Sequence, residues 1–154
     1  MSDWKRSTHE VSLGQLPPNM EAEIQQHIEQ YNLGDIMSTA LMCIQTDSHK
    51  TNKELFGTAE STRMGAIISP RWLVWVISGT KTATTALSAL LSDVVIQDYA
   101  TTQFAKMVPD SGIEVSGKFT GASESVSAFI GLEENAAGKK FKQTVFGAVQ
   151  NAKK

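Results

Sequence analysis

Residues 72–77, with the sequence WLVWVI, constrain the fold more than any other part of the chain. Side chains alternate across a strand, so this segment would place three apolar residues on each face: Trp72, Val74 and Val76 on one, and Leu73, Trp75 and Ile77 on the other. An antiparallel sheet with one wet face shows polar residues at every second position. The pattern therefore predicts a strand that is covered on both sides.

An amphipathic helix near the amino terminus is the nearest candidate for the outer cover. Met20, Ile24, Ile28 and Tyr31 recur at helical spacing, which predicts a helix over about residues 19–32. Burying one such side chain stabilises a fold by roughly 1.5–3 kcal/mol. Asn19 is predicted to cap the start of this helix, and Gly34 to supply a left-handed residue just past its end.

Further short apolar runs predict other strands, separated by turn signals at Ser69-Pro70 and at residues 109–112. The predicted strands are residues 36–46, a ragged edge strand at 55–62, 64–68, 86–91, 94–99, a weaker strand at 102–107, 113–119 and 125–132. Residues 1–16 are polar and mixed in charge, with Trp4 as their one large anchor. We expect them to form a loosely held arm.

A second amphipathic helix is predicted at about residues 135–152, where Ala137, Phe141, Val145 and Ala148 share one face. Asn135 is positioned to cap it. Seven or so short strands followed by a helix, without alternation of strands and helices, indicate a mainly β fold. We predict one domain over residues 17–154, built from a bent antiparallel sheet or barrel of about seven strands, closed by the carboxy-terminal helix.

The segments ISPRWLVWV (68–76) and ALSALLSDVVIQDY (86–99) resemble the strand turn and following strand pair of bacterial pleckstrin-homology-like (PH-like) and GRAM-like domains. Ser69, Arg71 and Trp72 occupy that turn, and the resemblance extends over roughly residues 36–152. Eukaryotic PH domains usually carry a tryptophan in the closing helix, and this helix has none. The resemblance implies a PH-like fold and a non-catalytic binding or scaffold role.

Catalysis requires a nucleophile, base and orienting group together, or a cluster of metal ligands. His9, His27 and His49 fall in the arm, the first helix and a loop, outside any ligand motif, and we expect them to be exposed. We predict no catalytic, cofactor or metal site, and an enzyme is the least favoured reading. The net charge of -2 gives no basic face, so nucleic acid is not an expected partner.

Trp72 and Trp75 are the candidate partner surface, since aromatic side chains supply large contact areas at protein interfaces. The alternative is that both tryptophans are core, one inside the sheet and one under the amino-terminal helix. The first functional hypothesis is a module that binds a protein or peptide through this surface or an open sheet edge, with self-association as a further option.

The second hypothesis is peripheral membrane attachment through anionic lipid headgroups. A multiply charged headgroup needs several cations, and the candidates are Lys50, Lys53, Arg63 and Arg71. Asp47, Glu54 and Glu60 nearly cancel their charge, which is typical of a solvated mixed loop.

Cys43, the single cysteine, lies between Met42 and Ile44 and is predicted to be a small buried hydrophobe. The amino terminus shows no apolar run of signal-peptide length, and no segment approaches the roughly 18 apolar residues of a membrane span. We expect a cytoplasmic protein.

Overall fold

A computed structural model describes residues 4–12, 14–50 and 60–154. These residues form two antiparallel sheets. The first has five strands in sequence order: β1 (Trp4–Glu10), β2 (Met42–Lys50), β3 (Ser61–Ile68), β4 (Trp72–Gly79) and β5 (Thr85–Leu90). The second has three: β6 (Val94–Asp98), β7 (Gly112–Gly117) and β8 (Val126–Gly131). The helices are α1 (Pro18–Tyr31), α2 (Ile36–Thr39), α3 (Phe104–Met107) and α4 (Ala136–Ala152).

Strand β4 is covered on both faces, as its sequence predicts. Leu73 and Trp75 belong to an inner core between the two sheets, into which α4 inserts Phe141. Val74 and Val76 belong to a separate outer core, which is completed by Met20, Ile24 and Ile28 of α1. The two cores explain why no position of this strand is given to a charged or strongly polar side chain.

Helix α4 begins where the sequence predicts. The Asn135 side chain accepts a hydrogen bond from the Gly138 backbone N–H at 2.9 Å, which caps the helix. A side chain at position 138 would collide with the Glu133 carbonyl oxygen, so only glycine fits this tight entry. The buried face then carries Phe141, Val145 and Ala148 into the inner core.

Helix α1 lies close to its predicted range, but both of its ends differ from prediction. Its first turn starts with Pro18 and has no side-chain cap. The Asn19 side chain instead donates a hydrogen bond to the Thr84 hydroxyl at 3.3 Å. Thr84 immediately precedes β5. The left-handed residue that ends the helix is Asn32, with φ of 53°, while Gly34 has a positive φ two residues later.

Four predictions of local structure need correction. Residues 4–10 are not a loose arm, because they form β1 and pair with β2 along its length. Residues 36–39 are a helical turn instead of a strand, since the Asp35 side chain caps the Ser38 N–H. Residues 104–107 are likewise helical. The sheets contain eight strands among the described residues and do not join into one closed barrel. Most of the predicted edge strand at 55–62 lies outside the described residues.

The described helices include none that is both long enough and apolar enough to span a membrane.

Candidate functional site

The inner face of the five-stranded sheet changes from apolar to polar along its strands. On β2, Met42 and Ile44 belong to the inner core, whereas Thr46 and Ser48 follow at the next inward positions. On β3, the change occurs between Met64 and Thr62. The inner core therefore ends before the strands do, and their polar ends form one wall of a cleft between the two sheets.

This inter-sheet cleft has a volume of about 380 Å³, within the range of roughly 300–1,000 Å³ that is common for ligand pockets. Its apolar surface comes from Met64, Ile77, Phe129 and Trp4, and Glu60 is a charged residue of the same lining. Hydroxyl groups of Thr46, Ser48, Thr62 and Thr82 lie among these side chains. A concave apolar surface with a few fixed polar groups can accept an apolar group and orient it through hydrogen bonds.

Arg6 of β1 forms the bridge between the sheets at the edge of the cleft. Its guanidinium donates from Nε and Nη2 to the two carboxylate oxygens of Asp110, at 2.9 and 2.6 Å, and from Nη1 to the Ser48 hydroxyl at 2.7 Å. Arg6 and Asp110 are only 12% and 10% exposed, so this bidentate pair is shielded from solvent. The guanidinium also lies over the rings of Trp4 and Phe129, with centroid distances of 5.5 and 5.2 Å.

Gly131 makes the close approach of Arg6 possible. A Cβ added at Gly131 would lie 2.5 Å from Arg6 Cζ, so β8 can carry no side chain at this point while Arg6 keeps its position. Two further contacts hold β1 nearby: the Thr8 N–H donates to the Glu133 carboxylate at 3.0 Å, and the Asn135 side chain donates to the Thr8 carbonyl oxygen at 2.8 Å. The cleft is therefore bordered by β1 on one side and by β8 on the other.

The two predicted tryptophans have different environments. Trp75 is fully buried and meets Phe119 edge to face at 5.2 Å, so it is core and is not available as a partner surface. Its indole N–H has no hydrogen-bond partner among the described residues. Trp72 is half-buried against the outer core and lines a groove of about 230 Å³ with Ile36 and Arg71.

The described members of the predicted anion-binding set are not brought together. On the inner side of the sheet, Lys50 Nζ lies 3.9 Å from Glu60 Oε2. On the outer side, Arg63 Nε lies 3.8 Å from Asp47 Oδ1. Arg71 occupies the β3–β4 turn, at the opposite end of β3 from Arg63. Lys53 lies outside the described residues.

The prediction of three exposed histidines is correct for His9 and His49 but wrong for His27. The buried His27 contacts the Ser88 hydroxyl through Nε2 at 2.8 Å, and Ser88 donates its single hydroxyl proton to Thr120 at 2.7 Å. His27 Nε2–H is therefore the donor to Ser88. Burial lowers the pKa of His27, an effect that the nearby Glu23 carboxylate partly opposes.

Cys43 is buried in the outer core, and burial is the main reason that its thiol pKa is raised to about 12. The described part of the chain contains no cluster of three or more His, Cys, Asp or Glu side chains with the geometry to hold a metal ion.

A comparison with known proteins finds no family model, no curated protein sequence and no solved structure that matches this chain. Sequence reasoning missed Arg6, Asp110 and Phe129, because Arg6 is more than 100 positions away from both of the others and the three share no motif. The usable signal was the change from apolar to hydroxyl side chains along β2 and β3.

Proposed function

We propose that this protein is a non-catalytic binding module that takes an apolar side chain of a protein or peptide partner into the inter-sheet cleft. The observation that carries the proposal is the composition of the cleft: an apolar surface of Met64, Ile77, Phe129 and Trp4 beside hydroxyl groups, with the Arg6–Asp110 pair and Glu60 among its other lining residues. Such a surface gains free energy by excluding water from an apolar group, at about 25 cal/mol per Å² buried.

The volume of the cleft supports a partner that contributes one or two large side chains at this point. The hydroxyls of Thr62 and Thr82, which are the more exposed hydroxyls of the cleft, can bond to backbone amides or carbonyls of the same segment. Arg6 is already satisfied by Asp110 and Ser48, so its contribution is to hold the cleft wall in place rather than to neutralise an acidic ligand.

We further propose that the architecture is a PH-like variant. Its support is the order of the elements: a five-stranded and a three-stranded antiparallel sheet, followed by α4 packed into the core between them. The binding role rests on the cleft, because the same fold can host unrelated functions.

Selection from a random peptide library on the immobilised protein tests the binding role. Thr62→Trp places a large ring in the cleft and is the blocking variant. Val95→Trp adds the same ring at an exposed position of β6, on the face turned away from the inner core, and is the control. We expect enriched peptides that bind the wild-type protein, bind Val95→Trp within about twofold, and bind Thr62→Trp at least tenfold more weakly, a loss of about 1.4 kcal/mol.

Two results would count against the proposal. One is a selection that enriches no peptide on the wild-type protein. The other is a set of peptides that bind Thr62→Trp as tightly as they bind the wild-type protein, since those peptides would bind a different surface.

A further inference from the structure

We propose that the partner segment pairs with β8 as an additional antiparallel or parallel strand and directs alternate side chains into the inter-sheet cleft. This inference rests on the proposed function, because it specifies how a peptide occupying that cleft is held.

The register of β7 and β8 fixes these directions. The Leu132 N–H donates to the Ser111 carbonyl at 3.1 Å, so these two residues form a hydrogen-bonded pair. Hydrogen-bonded and non-hydrogen-bonded pairs alternate along an antiparallel ladder. Ile130 and Ala128 therefore direct their backbone groups toward β7, whereas Phe129 and Ser127 direct theirs away from it.

The outward backbone groups of Ser127 and Phe129 form no hydrogen bond within the described parts of the chain. Toward the carboxy-terminal end of β8, other residues of the chain already occupy this edge. Arg6 lies against Gly131, and the Glu133 N–H donates to the Thr8 hydroxyl at 2.8 Å. The open stretch of the edge thus ends at the cleft, of which Phe129 is part.

The other three edge strands each have an outward backbone group that is already bonded. On β1, Thr8 is held by Glu133 and Asn135. On β5, the Ser88 carbonyl accepts a hydrogen bond from the Thr120 N–H at 3.0 Å. On β6, the Val94 carbonyl accepts one from Lys153 Nζ at 2.6 Å.

The sequence of β8 also lacks the features that usually protect an edge. Natural edge strands carry charged residues, proline or bulges that discourage pairing with another chain. Strand β1 has Lys5, Arg6 and Glu10, whereas β8 reads VSAFIG and contains neither a charged residue nor proline. An exposed edge without such protection is suited to strand addition.

The chemistry of this edge selects a polypeptide as the occupant. Alternating N–H and C=O groups at strand spacing are matched by another peptide backbone, and side chains at every second residue then reach the cleft. A second copy of this chain is a poorer fit, because a stable protein interface buries about 800 Å² per partner. An edge that is open at two residues before Arg6 closes it gives a symmetric pair too little contact.

Proline at position 127 tests the backbone pairing from the protein side. The Ser127 N–H points away from β7, so Ser127→Pro removes this donor without removing a β7–β8 hydrogen bond. Ser127→Ala is the matched control: it removes the hydroxyl that contacts Ser116 at 2.9 Å and keeps the N–H. For peptides selected on the wild-type protein, we expect the binding affinity to fall at least tenfold with Ser127→Pro and at most twofold with Ser127→Ala.

N-methylation of each peptide amide in turn tests the same pairing from the peptide side, on the wild-type protein. Strand addition predicts that N-methylation lowers the affinity at least tenfold at every second peptide amide and has little effect at the amides between them. This scan decides the matter if Ser127→Pro proves misfolded by circular dichroism. Uniform tolerance of N-methylation, or equal binding by Ser127→Pro and Ser127→Ala, would overturn the inference.

These outcomes separate the inference from the function on which it rests. If peptides do not bind Thr62→Trp, but their binding is unaffected by Ser127→Pro and by N-methylation, the cleft remains the binding site and strand addition is refuted. A dimer in light scattering that Ser127→Pro dissociates would identify a second copy as the occupant and overturn the proposed one. Failure to select any peptide removes both proposals.

Discussion

Replacing Gly131 by alanine tests the bridge between the two sheets. The new Cβ would lie 2.5 Å from Arg6 Cζ, well inside van der Waals contact, so Arg6 must leave its position. Arg6 is the flexible partner in this clash, but it is held by two hydrogen bonds to Asp110 and one to Ser48. The main cost of Gly131→Ala is therefore the loss of these bonds.

The size of this cost follows from the burial of the ion pair. Removing one partner of a fully buried pair costs about 3–5 kcal/mol, because the other charge is left uncompensated. Both charges survive in Gly131→Ala, and each is about a tenth exposed, so rehydration lowers the cost. We expect a loss of about 2–3 kcal/mol in the free energy of unfolding, with a fall in Tm of about 2–4 °C per kcal/mol.

A double-mutant cycle with Arg6→Ala isolates this effect. In that background the space beside position 131 is empty, so Gly131→Ala should cost less than about 1 kcal/mol. Urea unfolding followed by tryptophan fluorescence gives the four free energies, provided that the m-value stays constant. Equal costs of Gly131→Ala in the two backgrounds, or no cost in the wild-type protein, would refute the role given to Arg6.

Two further changes test other parts of the fold. A Cβ at Gly147, inside α4, would meet nothing within 4 Å, so Gly147→Ala should raise the free energy of unfolding by about 0.5–1 kcal/mol in the same urea assay, and a loss of stability would contradict this packing. Burial lowers the pKa of His27 below the unfolded value near 6.5, so below that pH the unfolded state binds more protons and stability falls as pH falls. Urea unfolding at pH 7.5, 6.5 and 5.5 should therefore show a smaller loss of stability for His27→Gln than for the wild-type protein, and identical pH dependence would contradict the buried, neutral imidazole.

The parts of the fold that could be predicted from the sequence are those with a strong local period. The helical spacing of Met20, Ile24 and Ile28 located α1, and the apolar residues on both faces of β4 required two covers. The capping role of Asn135 was likewise local, since its partner is three residues away.

Strand β1 could not be predicted in the same way, because its stabilising contacts are distant in sequence. Only Thr8 of this strand is buried, so no apolar alternation marks it. It is held by pairing with β2 and by side-chain bonds from Arg6 to Asp110 and from Thr8 to residues near the start of α4. The local sequence, six polar residues after Trp4, contains none of this information, which is why the segment was predicted to be an arm.

The candidate site was harder to predict for the same reason. Trp75 attracted attention as a large aromatic residue, but in a strand with two covered faces its inward position places it in the core. Phe129 was a better indicator, yet its part in the cleft depends on how β8 lies relative to β1 and β3, which no local pattern encodes.

Contacts between a selected peptide and the cleft provide the most direct test of the binding role. The measurement is an isotope-filtered nuclear Overhauser experiment on the complex, with the isoleucine and methionine methyl groups of the protein labelled. We predict cross-peaks from one apolar peptide side chain to the methyl groups of Met64 and Ile77. Cross-peaks to Ile36, beside Trp72, without any to Met64 or Ile77 would place the partner in the other groove and contradict the account.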